Sequence, residues 1–425
     1  MKFWKKVLAS VTAGVLCLGG AGLSGAESVQ ESMGTVLSAS AYVPYSYDGR
    51  YEGLYYNVTD TGEIEITGCY EYVRKVNIPI EIDGKSVTSI GSSAFYDCTS
   101  LTEITIPDSV TSIGQYAFCG CTSLKKIVIP DGITSIEGSV FYGCTSLTEI
   151  TIPDSVTSIW SSAFRGCSSL TEITIPDRVT SIGDSAFYSC TSLTEITIPD
   201  SVTNIEGFVF TDTPWLTAKQ EENPLVILNG TLIDGTTCTG SVTIPDGVTS
   251  IAGGAFDSCT GLTAIAIPKS VTSIGDSAFY RCTSLTEITI PDSVTSMGDY
   301  VFDGCTGLTK VTMPDSITSI GDYAFRSCTG LTEITIPDSV TSIGDYAFCD
   351  CTGLTKIVIP DSVTSIGDSA FDNCDNLIIY GHTGSFAETY AKEHGIQFAA
   401  YTFGDLDNSG KVDSTDIFYT MYYVA

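Results

Sequence analysis

The sequence predicts a mainly β protein with short helical turns, built as a solenoid of stacked parallel strands and ending in a segment unlike the rest. Three observations predict it. A 23-residue unit recurs almost unchanged, with proline at 107, 130, 153, 176 and 199 and again at 245, 268, 291, 314, 337 and 360. Cysteine keeps the same period at 98, 121, 144, 167 and 190, then at 259, 282, 305, 328, 351 and 374. The repeat stops near residue 402, and an acidic stretch follows at 405–416. A fixed period in this range belongs to a solenoid, which offers an extended surface rather than one cleft.

Residues 1–26 read as a secretory signal. Lys2, Lys5 and Lys6 give a basic start, residues 7–18 an apolar run, and Ser24-Gly25-Ala26 a small-residue cleavage site. Leu16 is larger than a lipoprotein acylation site wants before Cys17, so plain cleavage after Ala26 is expected. Residues 27–50 follow as a linker, and no later stretch is long and apolar enough to cross a bilayer. Removing the signal takes three lysines and no acid, leaving 16 basic against 50 acidic residues. Such a surface repels phosphate backbones, which excludes nucleic acid as a partner, and it suits an extracellular setting.

Residues 51–90 read as strands that cover the first coil, among them Ile64-Glu65-Ile66 and Ile80-Glu81-Ile82. The repeats themselves occupy 91–376. In Leu193-Thr194-Glu195-Ile196-Thr197-Ile198 the apolar residues alternate with polar ones, as in a half-buried strand. Pro199-Asp200 ends the strand and starts a turn. Val202 and Ile205 point inward from a second extended piece, and an Ala-Phe pair, as at Ala186-Phe187, plugs the far side of the coil. Each unit exposes an apolar face until the next one covers it.

One proline is missing between Pro199 and Pro245, so residues 202–247 form a degenerate coil. Within it, residues 226–233 read as a protruding hairpin around an Asn229-Gly230 turn, while Asp212-Thr213-Pro214-Trp215 and Asn223-Pro224 read as loop. This break is either a joint between two runs or an excursion that touches a ligand. Residues 377–400 cap the other end, with a strand over 377–380 and a helix from 386 to about 394, opened by the capping box Ser385-Phe386-Ala387-Glu388 and stopped by Gly395.

Sixteen cysteines in a secreted chain suggest bridges, but eleven share one repeat position and therefore stack in a column. A run of five cannot pair completely within itself, so a ladder of small buried thiols is expected. Cys119/Cys121 and Cys349/Cys351 imitate metal spacing, yet no histidine lies nearby and zinc wants four ligands.

Stacking turns each surface position into a row. The exposed strand position reads Glu103, Lys126, Glu149, Glu172, Glu195, then Glu287, Lys310, Glu333, Lys356. Thr151, Thr174 and Thr197 run beside it, Asp276, Asp299, Asp322, Asp345 and Asp368 follow a turn, and Tyr300, Tyr323 and Tyr346 form an aromatic row. Trp160 stands where most copies carry glycine. The candidate ligand surface is therefore Glu149, Glu172, Glu195, Thr151, Thr174, Thr197, Trp160, Tyr300, Tyr323 and Tyr346. Such rows also arise from repeat duplication alone and serve solubility.

The pattern Leu-x-x-Ile-x-Ile-Pro-x-x-Val-x-x-Ile-Gly-x-x-Ala-Phe-x-x-Cys, over about residues 75–398, resembles the BspA-like leucine-rich repeat family of bacterial surface proteins. The resemblance implies a right-handed leucine-rich solenoid used for adhesion to host or microbial macromolecules. It leaves the ligand, protein or polysaccharide, open.

The tail carries different chemistry. Asp405, Asp407, Ser409, Asp413 and Asp416 place hard oxygen ligands at the spacing of a twelve-residue Ca2+ loop, with the Lys411 carbonyl as a further ligand and Gly410 at the sharp turn. An apolar Ile417-Phe418-Tyr419 segment follows. Over about 402–425 this loop-helix resembles one half of a dockerin. The resemblance implies that Ser414 and Thr415 touch a cohesin on a scaffold protein, as in cellulosome-type complexes, so that the secreted chain associates with the cell surface. Ser409 is a weaker ligand than the usual Asp or Asn. A dockerin has two halves, and the expectation is a chain that continues past Ala425.

Catalysis is not expected. His382 and His394 are the two histidines, both in the C-terminal cap, and no nucleophile, base and acid converge in the pattern. The sequence thus reads as a non-catalytic binding or adhesion protein, with a spacer or carrier module of a larger cellulosomal enzyme as the alternative.

Overall fold

The structure, a computed structural model, describes residues 47–70 and 72–400. The expected signal, most of the linker and the Ca2+ loop at 405–416 lie outside the described residues.

Each coil holds two short strands and a turn arc. The strands Lys126–Val128 and Glu149–Thr151 pair in parallel with Ile127 opposite Ile150, one full repeat apart. The strands Ser135–Ile136 and Ser158–Ile159 pair in the same way on a second ladder. Pro153-Asp154 separates the two because proline has no amide hydrogen for a ladder and fixes its own φ. Leu147, Ile150, Val156 and Ile159 point inward and are buried, as most of their repeat mates are.

The turn arc is held by a third ladder of a different kind. Alternate residues donate their amides to the next coil: Ser139 to the Ser161 carbonyl, Phe141 to Ala163 and Gly143 to Arg165, at 2.8–3.0 Å. The intervening amides close tight turns within the coil, as Tyr142 does on Ser139. This alternation puts Ser139 and Gly143 in the left-handed region, at φ +55° and +68°. Glycine and short polar residues fill most copies of the Gly143 position, where they adopt that conformation at least cost, whereas the Ser139 position is shared between serine and aromatic residues such as Tyr116 and Phe208.

Two buried columns run along the arc. The phenylalanines stack nearly parallel, Phe95 on Phe118 at 5.2 Å and Phe164 on Phe187 at 5.2 Å. The ladder cysteines lie beside them, and the fifteen described cysteines are all buried and unbridged. Each ladder thiol from Cys121 onward in the first run donates to a Phe carbonyl of the preceding coil, for example Cys144 to Phe118 at 3.1 Å and Cys167 to Phe141 at 3.2 Å.

The N-terminal cap contains β1 (Gly49–Tyr51), β2 (Leu54–Val58), β3 (Ile64–Cys69), β4 (Lys75–Asn77), β5 (Glu81–Ile82) and β6 (Lys85–Ile90). β1, β2 and β3 form an antiparallel meander, and β6 joins β3 in parallel before pairing with Ser112–Ile113. β4 heads the other ladder by pairing with Glu103–Thr105. The meander gives the second ladder a start whose outer edge is a short strand.

The middle of the chain departs from the loop reading. Thr213 caps a helix, α1 (Pro214–Glu222), by accepting the Leu216 amide, and Pro214 occupies its first turn. That pairing of a capping threonine with proline is a helix start as well as a loop signal. α1 buries Trp215 against Phe210 at 4.7 Å and 54°, ending the first phenylalanine column. The hairpin of Val226–Leu228 and Thr231–Asp234 forms around Asn229-Gly230, but it does not stand clear. Its second strand pairs in parallel with Ser250–Ile251, so it is built into the second ladder. The core accordingly divides in two, one part reaching Val226 and the other beginning at Leu232.

At the far end α2 (Phe386–Glu393) starts at Ser385, whose hydroxyl accepts the Glu388 amide, and Gly395 follows in the left-handed region at φ +69°. Tyr390 of α2 meets Phe371 edge-on at 5.9 Å and 71°, ending the second phenylalanine column as Trp215 ends the first. Among the described residues no helix is long and apolar enough to cross a membrane.

Candidate binding surface

Parallel pairing places the predicted strand residues in line. Thr151 opposes Val128, Glu172 opposes Glu195, and Thr174 opposes Thr197. Side chains two apart on a strand share a face. Glu172, Glu195, Thr174 and Thr197 therefore form one exposed two-row patch, and Glu149 and Thr151, also exposed, carry the same two side chains one repeat earlier, where the strand ladder is interrupted. Its charge is uneven. Lys75 pairs with Glu103 at 2.6 Å and Lys126 pairs with Glu149, so sign alternates at the start of the ladder. Glu172 and Glu195 stand directly opposite each other with no cation between them. Like charges so placed repel, and hydration or a ligand cation or hydroxyl relieves the repulsion.

Trp160 lies elsewhere. It follows the second-ladder strand Ser158–Ile159, is 54% exposed, and its amide donates to the Ile136 carbonyl at 2.9 Å. Most copies keep glycine here because a Cβ at Gly183, for instance, comes within 2.5 Å of the Ser161 nitrogen of the preceding coil. Trp160 follows a coil that itself carries Glu137 at this position, so two successive coils break the glycine row.

The tyrosine row lies on the turn arc of the second run. Tyr300, Tyr323 and Tyr346 stack at 4.5 and 4.9 Å, within 10° of parallel. All three occupy the left-handed position, at φ +57°, +56° and +54°. A tyrosine there costs roughly 1–2 kcal/mol of backbone strain. Because the rings face one another, they offer a ligand their edges and hydroxyls, plus one outer face at each end of the stack. Burial pushes the Tyr300 hydroxyl pKa up.

Sequence reasoning missed the pair that adjoins this stack. Arg326 clamps Asp303 with two bonds, Nε to Oδ1 at 3.1 Å and an Nη to Oδ2 at 2.7 Å, across adjacent coils. The guanidinium also lies 5.0 Å from the Tyr323 ring centre. Burial raises the Asp303 carboxyl pKa and Arg326 pulls it back down. The acidic turn row also has a role that the sequence did not show. The Asp299 amide donates to the Asp276 carboxylate at 2.9 Å, and Asp322, Asp345 and Asp368 repeat the bond onto Asp299, Asp322 and Asp345. These carboxylates tie coil to coil.

A cavity of about 400 Å³ opens at the break between the two runs, lined by Asp184, Glu206, Gly207, Gly253, Asp276 and Met297 among others. Burial raises the Asp184 carboxyl pKa, its neighbour Ser185 pulls it back, and Glu206 raises it again. The missing proline was the one sequence signal of this feature. The strand patch, Trp160, the tyrosine stack and this cavity sit on different ladders or coils, so the ten candidate residues make several surfaces rather than one site.

The chain matches the BspA type leucine rich repeat region model over residues 84–217, 234–352 and 295–387. A leucine-rich repeat protein from Bacteroides ovatus is 31% identical, over 84% of this chain and all of that one, with a TM-score of 0.40. A leucine rich cell surface protein from Faecalibacterium prausnitzii is 32% identical, over 82% of this chain and 98% of that one, with a TM-score of 0.45. No curated protein matches the chain. A 23-residue period, two parallel strand ladders, and repeat matches across most of its length place the chain in the BspA-type leucine-rich repeat family.

Proposed function

We propose that this is a secreted, non-catalytic binding protein that recognises a protein or polysaccharide through its stacked surface rows. The observation that carries the reading is the patch of Glu149, Glu172, Glu195, Thr151, Thr174 and Thr197. Parallel register pairs Glu172 with Glu195 and Thr174 with Thr197, and Glu149 and Thr151 carry the same acid and hydroxyl one repeat earlier, which suits a ligand that is itself periodic or extended. Repetition of weak contacts gives avidity without a deep pocket. Sequence similarity to a protein described as a leucine rich cell surface protein supports the same setting.

Anchoring belongs to the same proposal. Asp405, Asp407, Ser409, Lys411, Asp413 and Asp416 supply an all-oxygen donor set, the chemistry that Ca2+ prefers. Ser414 and Thr415 then contact a cohesin of a scaffold protein at the cell surface. Two experiments test the two halves. The full chain is passed over immobilised polysaccharides and extracellular-matrix proteins, where saturable binding to a ligand supports recognition and its absence across the panel counts against it. A pull-down with a cohesin panel in calcium and in chelator tests the anchor, which predicts capture in calcium alone. Capture of no cohesin overturns the anchor and leaves the recognition surface standing.

A further inference from the structure

Cys98 opens the cysteine ladder, and its environment differs from that of the members above it. Cys121, Cys144, Cys167 and Cys190 each donate a thiol hydrogen to a phenylalanine carbonyl one coil back, at 3.1–3.2 Å. Below Cys98 there is no repeat coil and no such phenylalanine. The layer there is the cap, where β3 ends at Cys69. The Cys98 sulfur instead lies 3.1 Å from the Cys69 sulfur.

Both sulfurs are fixed by the backbone on either side of the junction. Cys69 pairs with Leu54 across the β2–β3 ladder. The Cys98 amide closes a turn onto Phe95 at 3.1 Å, and the neighbouring Asp97 amide reaches the Cys119 carbonyl at 2.8 Å. The pair is buried, at 1% and 5% exposure, in the core that joins cap to first coil. A disulfide of about 2.05 Å needs the two sulfurs to close by only ~1 Å. Loss of a carbonyl acceptor for Cys98 is also the reason its thiol is available, since bridging takes no hydrogen bond away from the backbone.

We infer that Cys69 and Cys98 form a disulfide that staples the N-terminal cap to the first repeat, while the ladder cysteines stay reduced. The oxidant is a small-molecule or protein disulfide. The Cys69 thiolate attacks one of its sulfurs, the oxidant's sulfur–sulfur bond breaks, and one thiol leaves. The Cys98 thiol then gives up its proton, and its thiolate attacks the Cys69 sulfur, releasing the second thiol. The two cysteines lose two electrons and two protons, and the oxidant takes up both. The order follows from the local hydrogen bond. Either thiol can donate across the 3.1 Å contact; with Cys98 as the donor, the bond holds the Cys69 pKa below the usual thiol value against the opposing effect of burial. Ladder thiols such as Cys144, held up to about 12 by burial, are poor nucleophiles by comparison.

The test equilibrates the full chain with oxidised and reduced glutathione, alkylates it in denaturant, and maps the peptides. The expected result is one linked pair, Cys69–Cys98, with loss of two of the sixteen thiols and every ladder cysteine alkylated. Thermal unfolding shifts upward in the oxidised sample and returns on adding a reductant. Cys69→Ala abolishes both the linked peptide and the shift, whereas Cys144→Ala leaves both in place. A wild-type chain that keeps both thiols under these conditions overturns the inference, as does a bridge between ladder neighbours such as Cys282 and Cys305. The wild-type map decides the matter even where Cys69→Ala does not fold.

Discussion

The thiol of Cys144 donates to the carbonyl of Phe118, 3.1 Å away in the preceding coil. The same bond recurs at Cys305 onto Phe279 and at Cys351 onto Phe325, both 3.0 Å. The alternating turn-arc ladder uses the Phe amide to reach the next coil, while the Phe carbonyl accepts the amide of its own coil's cysteine, Cys121 onto Phe118 at 3.1 Å, and the thiol of the next coil's cysteine as a second donor. Cysteine suits this position because it is small, apolar enough for the core, and still a donor.

Removing that donor takes one of the two hydrogen bonds from the buried Phe118 carbonyl, which keeps the Cys121 amide, and leaves a small void. Cys144→Ala is expected to lower stability by about 1–2 kcal/mol. Cys144→Val, which fills the void but restores no donor, recovers less than the full loss. Urea unfolding of the three chains, followed by circular dichroism, measures the order.

The buried thiols also set an alkaline limit. Burial lifts Cys144, Cys190 and Cys374 to about 12, against an ordinary thiol value of about 8.5 in an unfolded chain. The folded state then holds more protons than the unfolded state between these values, so stability falls as pH rises. The contribution is fully present below about pH 8.5 and is lost as pH climbs toward 12, at up to ~1.4 kcal/mol per unit for each thiol. Unfolding midpoints measured from pH 7 to 11 should decline, and Cys144→Ala should flatten the slope.

Trp215 closes the first core, packed at 4.7 Å on Phe210. Trp215→Ala is expected to cost ~3 kcal/mol or more and to expose the end of the phenylalanine column. Because the core divides between Val226 and Leu232, the loss should fall on the first run. Hydrogen exchange should quicken for amides of residues 185–213 and change little beyond residue 260.

Arg326 neutralises Asp303, whose side chain is 3% exposed. Arg326→Ala strands a buried carboxylate and is expected to cost ~3 kcal/mol at neutral pH. Burial raises the Asp303 pKa, and the variant lacks the guanidinium that opposes the rise. The carboxyl then takes up a proton on mild acidification, so the gap between variant and wild type should narrow as pH falls. A gap independent of pH would place the loss in the arginine's packing on Tyr323 instead.

Much of the repeat architecture was legible because its signals are local and repeated. The Ile196-Thr197-Ile198 alternation, the Pro199-Asp200 stop and the Phe column each appear in coil after coil. What the sequence hid depends on neighbours one coil away. Nothing in the letters places the Cys144 thiol over the Phe118 carbonyl, or the Asp276 carboxylate under the Asp299 amide. Thr213-Pro214-Trp215 read as loop because threonine and proline mark loops and helix starts alike, and burial of Trp215 decided between them. The surface residues were legible as rows but not as surfaces. Glu149 and Thr151 share a strand face, while Tyr300, Tyr323 and Tyr346 spend their ring faces on each other.

The central claim is that the strand patch holds a ligand, and its most direct test is affinity with the patch neutralised. The full chain and a Glu149→Gln, Glu172→Gln, Glu195→Gln variant are titrated, by surface plasmon resonance, against the polysaccharide or matrix protein that the binding panel identifies. Conserved shape with lost charge should leave the fold intact and relieve the Glu172–Glu195 repulsion, so unfolding midpoints hold or rise. The account predicts at least a tenfold weaker Kd for the variant. Equal affinity in the two chains would contradict it and move recognition off this face.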